Sequence, residues 1–356
     1  LLPKQVAEEP ELCSVAAKLT GVSKSRIARV DIIKRSIDAR HAPVMFNLTL
    51  GIHIDKIELS EPQFKAEYKN VADANSAVVV GAGPAGLFAA LALIENGIKP
   101  IVLERGKSVE DRKIDLAALY KTGIVNPDSN FGFGEGGAGT FSDGKLNFVP
   151  KIGKSDLFKY MSESEAYQLI DDTEKIFTKF NMDSDVFPSN MDEALEIQKK
   201  VALIGARLLL IKQKHLGSDH LPDYIEGLCD YLSNKGVELL ENCNVVDIKS
   251  VNYNEHIVMC EKGKDNCEIK CKSVIVAPGR TGAKWVQELA DTYKIPYLSQ
   301  SIEIGVRVEV RKEILEDLCN IIYDPTIFIK TDTYGDEIRT FCTNPGGFVA
   351  KENYYG

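Results

Sequence analysis

The chain has 356 residues, 44% hydrophobic and 27% charged, with a formal net charge of −9 and a pI near 5.3. That composition excludes disordered and fibrous classes, and its negative sign argues against a nucleic-acid backbone as the main partner. The first 70 residues carry 11 Lys/Arg against 9 Asp/Glu, too small an excess for a basic binding arm. The longest apolar run, VALIGARLLLI (201–211), is broken by Arg207 and is too short for a membrane span. The start, LLPKQVAEEPELC, lacks the basic and apolar regions of an export signal, so a cytoplasmic protein is expected. The eight cysteines include no CxxC pair and no partner histidine at metal spacing. Reduced thiols and no metal site are expected from them.

In chain order, residues 11–20 read as a helix. RIARVDIIKRSIDAR and APVMFNLTLGIHI read as two strands, the second alternating Val44, Phe46, Leu48 and Leu50 on one side. This predicts a small α+β module over residues 1–72, closed by a charged linker within Glu58–Ser76. A nucleotide-binding segment is expected over 73–155 and a helical insert over 156–216. A second α/β part is expected over 217–285, and an incomplete cap or substrate domain over 286–356.

The second segment opens with AVVVGAGPAGLFAALALIENGIKPIVLERG, a strand, a glycine turn, a helix and a second strand. Gly81, Gly83 and Gly86 stand at G-x-G-x-x-G spacing. The first permits the tight turn, the second lets a pyrophosphate approach the backbone, and the third lets helix and strand pack closely. The helix that begins there aims its free N–H groups and positive dipole end at phosphate. Glu104, 18 positions after Gly86, ends the second strand where a carboxylate accepts from ribose hydroxyls. It would repel the 2′-phosphate of NADP. Expected contacts to the ADP half are Gly81, Gly83, Pro84, Ala85, Gly86, Glu104 and Arg105.

FAD and NAD share this half-fold, so the fingerprint does not separate them. The stretch SNFGFGEGGAGTFSDGKLN (129–147) bears on the choice: six glycines in nineteen residues are too many for a helix or regular strand. Such a loop offers closely spaced backbone N–H groups and little bulk, suited to a flat isoalloxazine and its ribityl-pyrophosphate. Gly136, Gly137, Ala138, Gly139 and Thr140 are expected along the flavin. In KSVIVAPGRTGAKW (272–285) an apolar strand returns the chain to the cofactor, with Ala277 and Gly279 in the turn beside it.

Taken in order, GAGPAGLFAA, ERG, the glycine loop, KHLGSDHLP, VIVAPGRTG, IGVRVEV and FCTNPGGFV make the chain resemble the FAD-dependent dehydrogenases described as NAD(FAD)-utilizing. The resemblance extends to RSIDAR in the N-terminal module. It implies a two-dinucleotide-binding-domain flavoprotein of Rossmann-like α/β fold. It also implies further chain beyond Gly356, a final strand and helix whose Gly-Asp/Glu segment covers the flavin. Where many relatives have a Gly-His-Ser turn, this chain has Pro278-Gly279-Arg280-Thr281, so no histidine role carries over there.

A flavin brings its own redox chemistry and needs no protein triad. Three side chains stand as catalytic candidates. His215 falls in KHLGSD at an expected helix end, Arg307 shares a strand face with Glu309 in GVRVEV, and Cys342 precedes TNPGG. Lys145 could pair with phosphate. Together these features imply FAD-dependent transfer of hydride through flavin N5 to or from a small molecule, with NAD(P)H as a transient electron donor. Alternatives are a reductase of unsaturated lipid-like substrates, a non-catalytic FAD-binding scaffold, or a protein that holds NAD alone.

Overall fold

The computed structural model describes residues 9–40, 43–55, 66–299 and 301–347. The linker stretch 58–65 and the chain after 347 lie outside these. The chain divides into two compact units between Lys65 and Ala66. Tyr68 and Val71, on the module side of the boundary expected near 72, are buried in the second unit's core.

In the first unit a helix, α1 (Glu9–Thr20), packs on a hairpin of β1 (Ile27–Asp38) and β2 (Met45–Ile54). Leu12, Ala16 and Val30 form its core, with Leu48, Leu50 and Ile52 packed against them. The alternation expected of β2 holds from Phe46 onward.

The second unit is organised by four parallel strands in the order β9, β4, β3, β13. They are β3 (Ser76–Val80), β4 (Lys99–Leu103), β9 (Glu238–Leu240) and β13 (Val274–Val276). Val78 and Val79 are wholly buried because strands flank β3 on both sides, which is why it reads as an unbroken apolar run. Helix α2 (Pro84–Glu95) buries Leu87, Ala90, Leu91 and Ile94, the i, i+3, i+4, i+7 stripe of a helix laid on a sheet. Helix α6 (Leu221–Asn234) adds Leu221, Ile225, Leu228 and Leu232 to the same core. Neighbours run from β3 to β4 on one side and from β3 to β13 on the other. Such a switch of direction opens a crevice at the carboxyl ends of the strands. Helix α7 (Ala283–Tyr293) comes directly after the turn that ends β13.

A second sheet, β10 (Cys243–Asn252), β11 (Glu255–Lys262) and β12 (Asp265–Cys271), is antiparallel throughout. A third joins β5 (Lys145–Phe148), β8 (Lys212–His215) and β6 (Val186–Phe187). A fourth joins β7 (Arg207–Leu209), β14 (Thr326–Lys330) and β15 (Glu337–Arg339).

Three expectations need correction. The helical insert holds for α4 (Glu163–Lys179) and α5 (Met191–Leu203) but not beyond Leu203. Gly205, at φ +79°, ends the helix; Leu208 and Leu209 after it pair in β7, and the polar run Lys212–His215 forms β8. His215 therefore stands on a strand, not at a helix end. The stretch GVRVEV (305–310), expected as a strand, joins no sheet among the described residues; Val306 and Val308 are exposed. The expectation of eight reduced thiols fails at Cys260 and Cys267, which form a disulfide. Among the described residues no helix is long and apolar enough to cross a membrane.

Candidate cofactor site

The crevice is built mainly from backbone. Gly81 sits at φ +97°, and a Cβ there would lie 2.3 Å from the Ala277 carbonyl oxygen. A Cβ at Gly86 would lie 1.8 Å from the Gly81 carbonyl oxygen. Only glycine lets the first turn of α2 close on the end of β3 and lets β13 approach it. Gly83 precedes the helix, with Pro84 at its first position. Pro84 lacks the N–H that a first helical turn leaves unpaired anyway.

Glu104 is buried and fixes the turn. One carboxylate oxygen accepts from the Ala82 N–H and the other from the Gly106 N–H, each at 2.8 Å. Each oxygen keeps a further lone pair, and Glu104 lines the cavity, where those lone pairs would meet ribose hydroxyls. The acid read from the sequence as a ribose acceptor is thus also the clamp between two loops.

The glycine loop is held against this turn. The Gly136 N–H donates to the Ala82 carbonyl, and a Cβ at Gly137 would come within 2.9 Å of Gly83. Its anchor is Arg112 of α3 (Val109–Thr122), a wholly buried residue outside every sequence motif. The guanidinium donates to the carbonyls of Glu135, Asn130, Phe131 and Gly137 and to the Thr140 hydroxyl. Burial pulls this guanidinium down to about 10, against the pull of Glu104 and Glu135. Nothing in VEDRKIDL marks that arginine, because its acceptors lie 18 to 28 positions away.

Together these elements bound a cavity of about 370 Å³. Of the residues expected at the cofactor, Gly81, Gly83, Pro84, Glu104, Arg105, Gly137, Ala138, Ala277 and Gly279 line it. Ala85, Gly86, Gly136, Gly139 and Thr140 do not. Gly86 and Gly136 shape the backbone behind it, and Thr140 spends its hydroxyl on the Glu135 carbonyl and on Arg112. Asn244, Val245, Arg280 and Trp285 line the cavity unforeseen. No local motif announces Asn244 and Val245, since β10 reaches the crevice only through its parallel-sheet neighbour: the Cys243 N–H donates to the Glu104 carbonyl at 2.8 Å.

A second polar group forms around Lys145, directly opposite His215 in the β5–β8 ladder. Its ammonium lies 3.3 Å from Asp324, 3.2 Å from Asp143, 3.3 Å from the Cys342 sulfur and 3.0 Å from the Thr343 carbonyl. Burial works to lower the Lys145 pKa; Asp324 and Asp143 reverse that and hold it above its ordinary value. His215 Nε2 is 2.8 Å from the Tyr323 hydroxyl. Burial lowers the imidazole's pKa and raises that of the phenol. Two of the three catalytic candidates, His215 and Cys342, thus flank one buried lysine. Arg307 has no hydrogen bond to this group among the described residues and is exposed.

The crevice residues fit a dinucleotide on structural grounds: a backbone cradle that any Cβ would fill, and a buried acid at the strand end. Comparison with known proteins decides which dinucleotide. Residues 74–113 match the family described as FAD binding domain. The cofactor is FAD. Residues 1–53, within the first unit, match the Domain of unknown function (DUF8436). The chain is 30% identical over 375 residues to a Clostridium beijerinckii protein named "Uncharacterized protein"; the match covers 96% of this chain and 60% of that one. This chain thus spans about three fifths of that relative's length.

Among solved structures, a flavoprotein/dehydrogenase from Cytophaga hutchinsonii is 14% identical, with a TM-score of 0.32 over 64% of this chain and 44% of that one. Glycine oxidase from Geobacillus kaustophilus is 16% identical, with a TM-score of 0.36 over 63% and 60%. L-amino acid deaminase from Proteus vulgaris is 15% identical, with a TM-score of 0.35 over 63% and 52%. Likenesses this distant carry no chemistry to this chain.

Proposed function

We propose that this chain is the FAD-holding part of an oxidoreductase that passes hydride through flavin N5 to or from a small organic molecule, with NAD(P)H as a transient donor. The observation that carries this reading is the glycine cradle of Gly81, Gly86 and Gly137 closed over a buried Glu104. Bound FAD supplies the two-electron chemistry, and the protein's part is to hold it, tune it and admit substrate.

The start of α2, with its positive dipole end beside Gly83, would hold the pyrophosphate. Glu104 would accept from the ribose hydroxyls, held in orientation by its bonds to Ala82 and Gly106. The loop pinned by Arg112 presents small residues to the cofactor's other half. Proton handling falls to the group around Lys145. With its pKa lowered, His215 is neutral near pH 7 and able to act as a base, its Nε2 sharing a hydrogen bond with the Tyr323 hydroxyl. Lys145, fixed between two aspartates, stays charged and supplies a permanent positive field beside that pair.

The test is the absorbance spectrum of the purified protein, with release and identification of any chromophore, then anaerobic mixing with NADH and NADPH. Flavin bands, released FAD and bleaching by a pyridine nucleotide support the reading. A colourless protein that binds no added FAD overturns it. FAD that no reductant bleaches overturns the enzymatic part and leaves a binding protein.

A further inference from the structure

Cys260 and Cys267 face one another because of a turn. Gly263, at φ +65°, and Lys264 make a two-residue loop that pairs Lys262 with Asp265 and, two steps down the ladder, Cys260 with Cys267. The neighbouring ladder pairs Val245 with Cys260 and Cys243 with Lys262. Cys243 is therefore two positions along from the residue opposite Cys260, on the same sheet face. Three sulfurs from three adjacent strands meet there, all within 4.8 Å of one another. That face packs on Val78, Val80 and Leu103 of the nucleotide sheet. Cys243 lines the cofactor cavity and also an open cavity of about 550 Å³ that Cys267 shares.

We propose that Cys243, Cys260 and Cys267 form a thiol–disulfide exchange site in the wall of the FAD crevice, open to small thiols from the second cavity. The Cys243 thiolate attacks the sulfur of Cys260 or Cys267. A bond from Cys243 to that sulfur forms, the Cys260–Cys267 bond breaks, and the released cysteine takes up a proton equivalent to the one Cys243 gave up. The exchange is redox-neutral and needs no external oxidant. Burial raises the Cys243 pKa while Lys262 pulls it down, so the exchange speeds up as pH rises. Its consequence for the cofactor comes through the backbone bond between the Cys243 N–H and Glu104. Tying the Cys243 sulfur to β11 or β12 moves the strand that positions the ribose acid.

This inference concerns the wall of the site proposed to hold FAD, but its first test needs no flavin. The wild-type chain, C243S, C260S and C267S are equilibrated in a glutathione buffer, acid-quenched, alkylated under denaturing conditions and mapped by mass spectrometry. Linked peptides joining Cys243 to Cys260 in C267S, and Cys243 to Cys267 in C260S, are expected. Small amounts of the same links are expected in the wild type, and C243S should keep only Cys260–Cys267. If both C260S and C267S leave their remaining two cysteines of the triad alkylated in the buffer that protects the wild-type pair, the site does not exist. The wild-type map stands as the check if a variant folds poorly. FAD titration of C267S, oxidised against reduced, then reads the coupling: about tenfold weaker binding of the linked form is expected, and equal affinity overturns the coupling. If neither form binds FAD, the flavin reading fails while the sulfur map stands.

Discussion

The nucleotide crevice and the group around Lys145 are both polar and largely buried, yet they are built in opposite ways. In the crevice the chain's own amides and carbonyls do the holding, and side chains are removed to let them meet. Around Lys145 the holding is done by side chains drawn from β5, β8 and the turn after α8 (Lys312–Ile321), with residues 342 and 343 closing one side. The first design depends on what is absent at a few positions, so adding one methyl group should break it. The second depends on balanced charge, so it should respond to pH and to neutralising substitutions while the fold survives. Variants that separate these two dependences sharpen the contrast.

The largest effect is expected from Gly86→Val. Its Cβ alone would overlap the Gly81 carbonyl, and neither partner is a flexible side-chain end. The turn must open, at a cost of about 3 kcal/mol or more, and FAD should be lost on purification. The ratio of flavin to protein absorbance and a thermal melt check both parts. Retention of FAD by this variant would mean that the cradle is not where the pyrophosphate sits.

Next comes Arg112→Met, which keeps side-chain length and removes the guanidinium. Four buried or part-buried carbonyls and a hydroxyl lose the guanidinium at once, the Glu135 carbonyl keeping only its bond from Thr140. A cost of about 3–5 kcal/mol is expected, read as a shift in the denaturant midpoint. Arg112→Lys should recover little of it, because an ammonium does not reproduce the fork that reaches five acceptors. Glu104→Gln is milder, since the amide oxygen still accepts one of the two backbone N–H groups. Cofactor binding weaker by about 1.5–3 kcal/mol, roughly ten- to a hundredfold, is expected by titration.

The same contrast explains what could be read in the sequence. A backbone cradle demands particular residues at fixed local spacing, so Gly81, Gly83, Gly86 and Glu104 announce themselves within 24 positions. Arg112 and Asp324 do not, because each acts through partners that only the tertiary fold brings near. The strand pattern of 305–310 is as clear as that of Val78–Val80. It forms no sheet among the described residues because alternation specifies a face and not the neighbour that would cover it. The helix read through 201–211 stops short for a related reason: an apolar run says that residues are buried, while Gly205 ends the helix and Leu208 is buried in β7 instead. Cys260 and Cys267 escaped notice because hairpin register, not sequence spacing, sets which cysteines meet.

The smallest predicted effect tests the charge-balanced region by itself. Burial lowers the His215 pKa in the folded protein below its ordinary value of 6.5. As pH falls through 6.5 the unfolded chain takes up a proton that the folded chain refuses, so stability is lost over that descent; above it the imidazole is neutral in both states and contributes no slope. The wild type should therefore lose more thermal stability between pH 7.5 and pH 5.5 than His215→Gln does, with the two converging in slope at the alkaline end. The carboxylates near it, Asp143 and Asp219, favour the charged imidazole and Lys145 opposes it. Neutralising the lysine with Lys145→Met should therefore make the descent shallower, by letting His215 protonate more readily in the folded state. An unchanged pH slope in Lys145→Met, with His215 intact, would show that burial alone sets the histidine's state and that the lysine's field does not reach it.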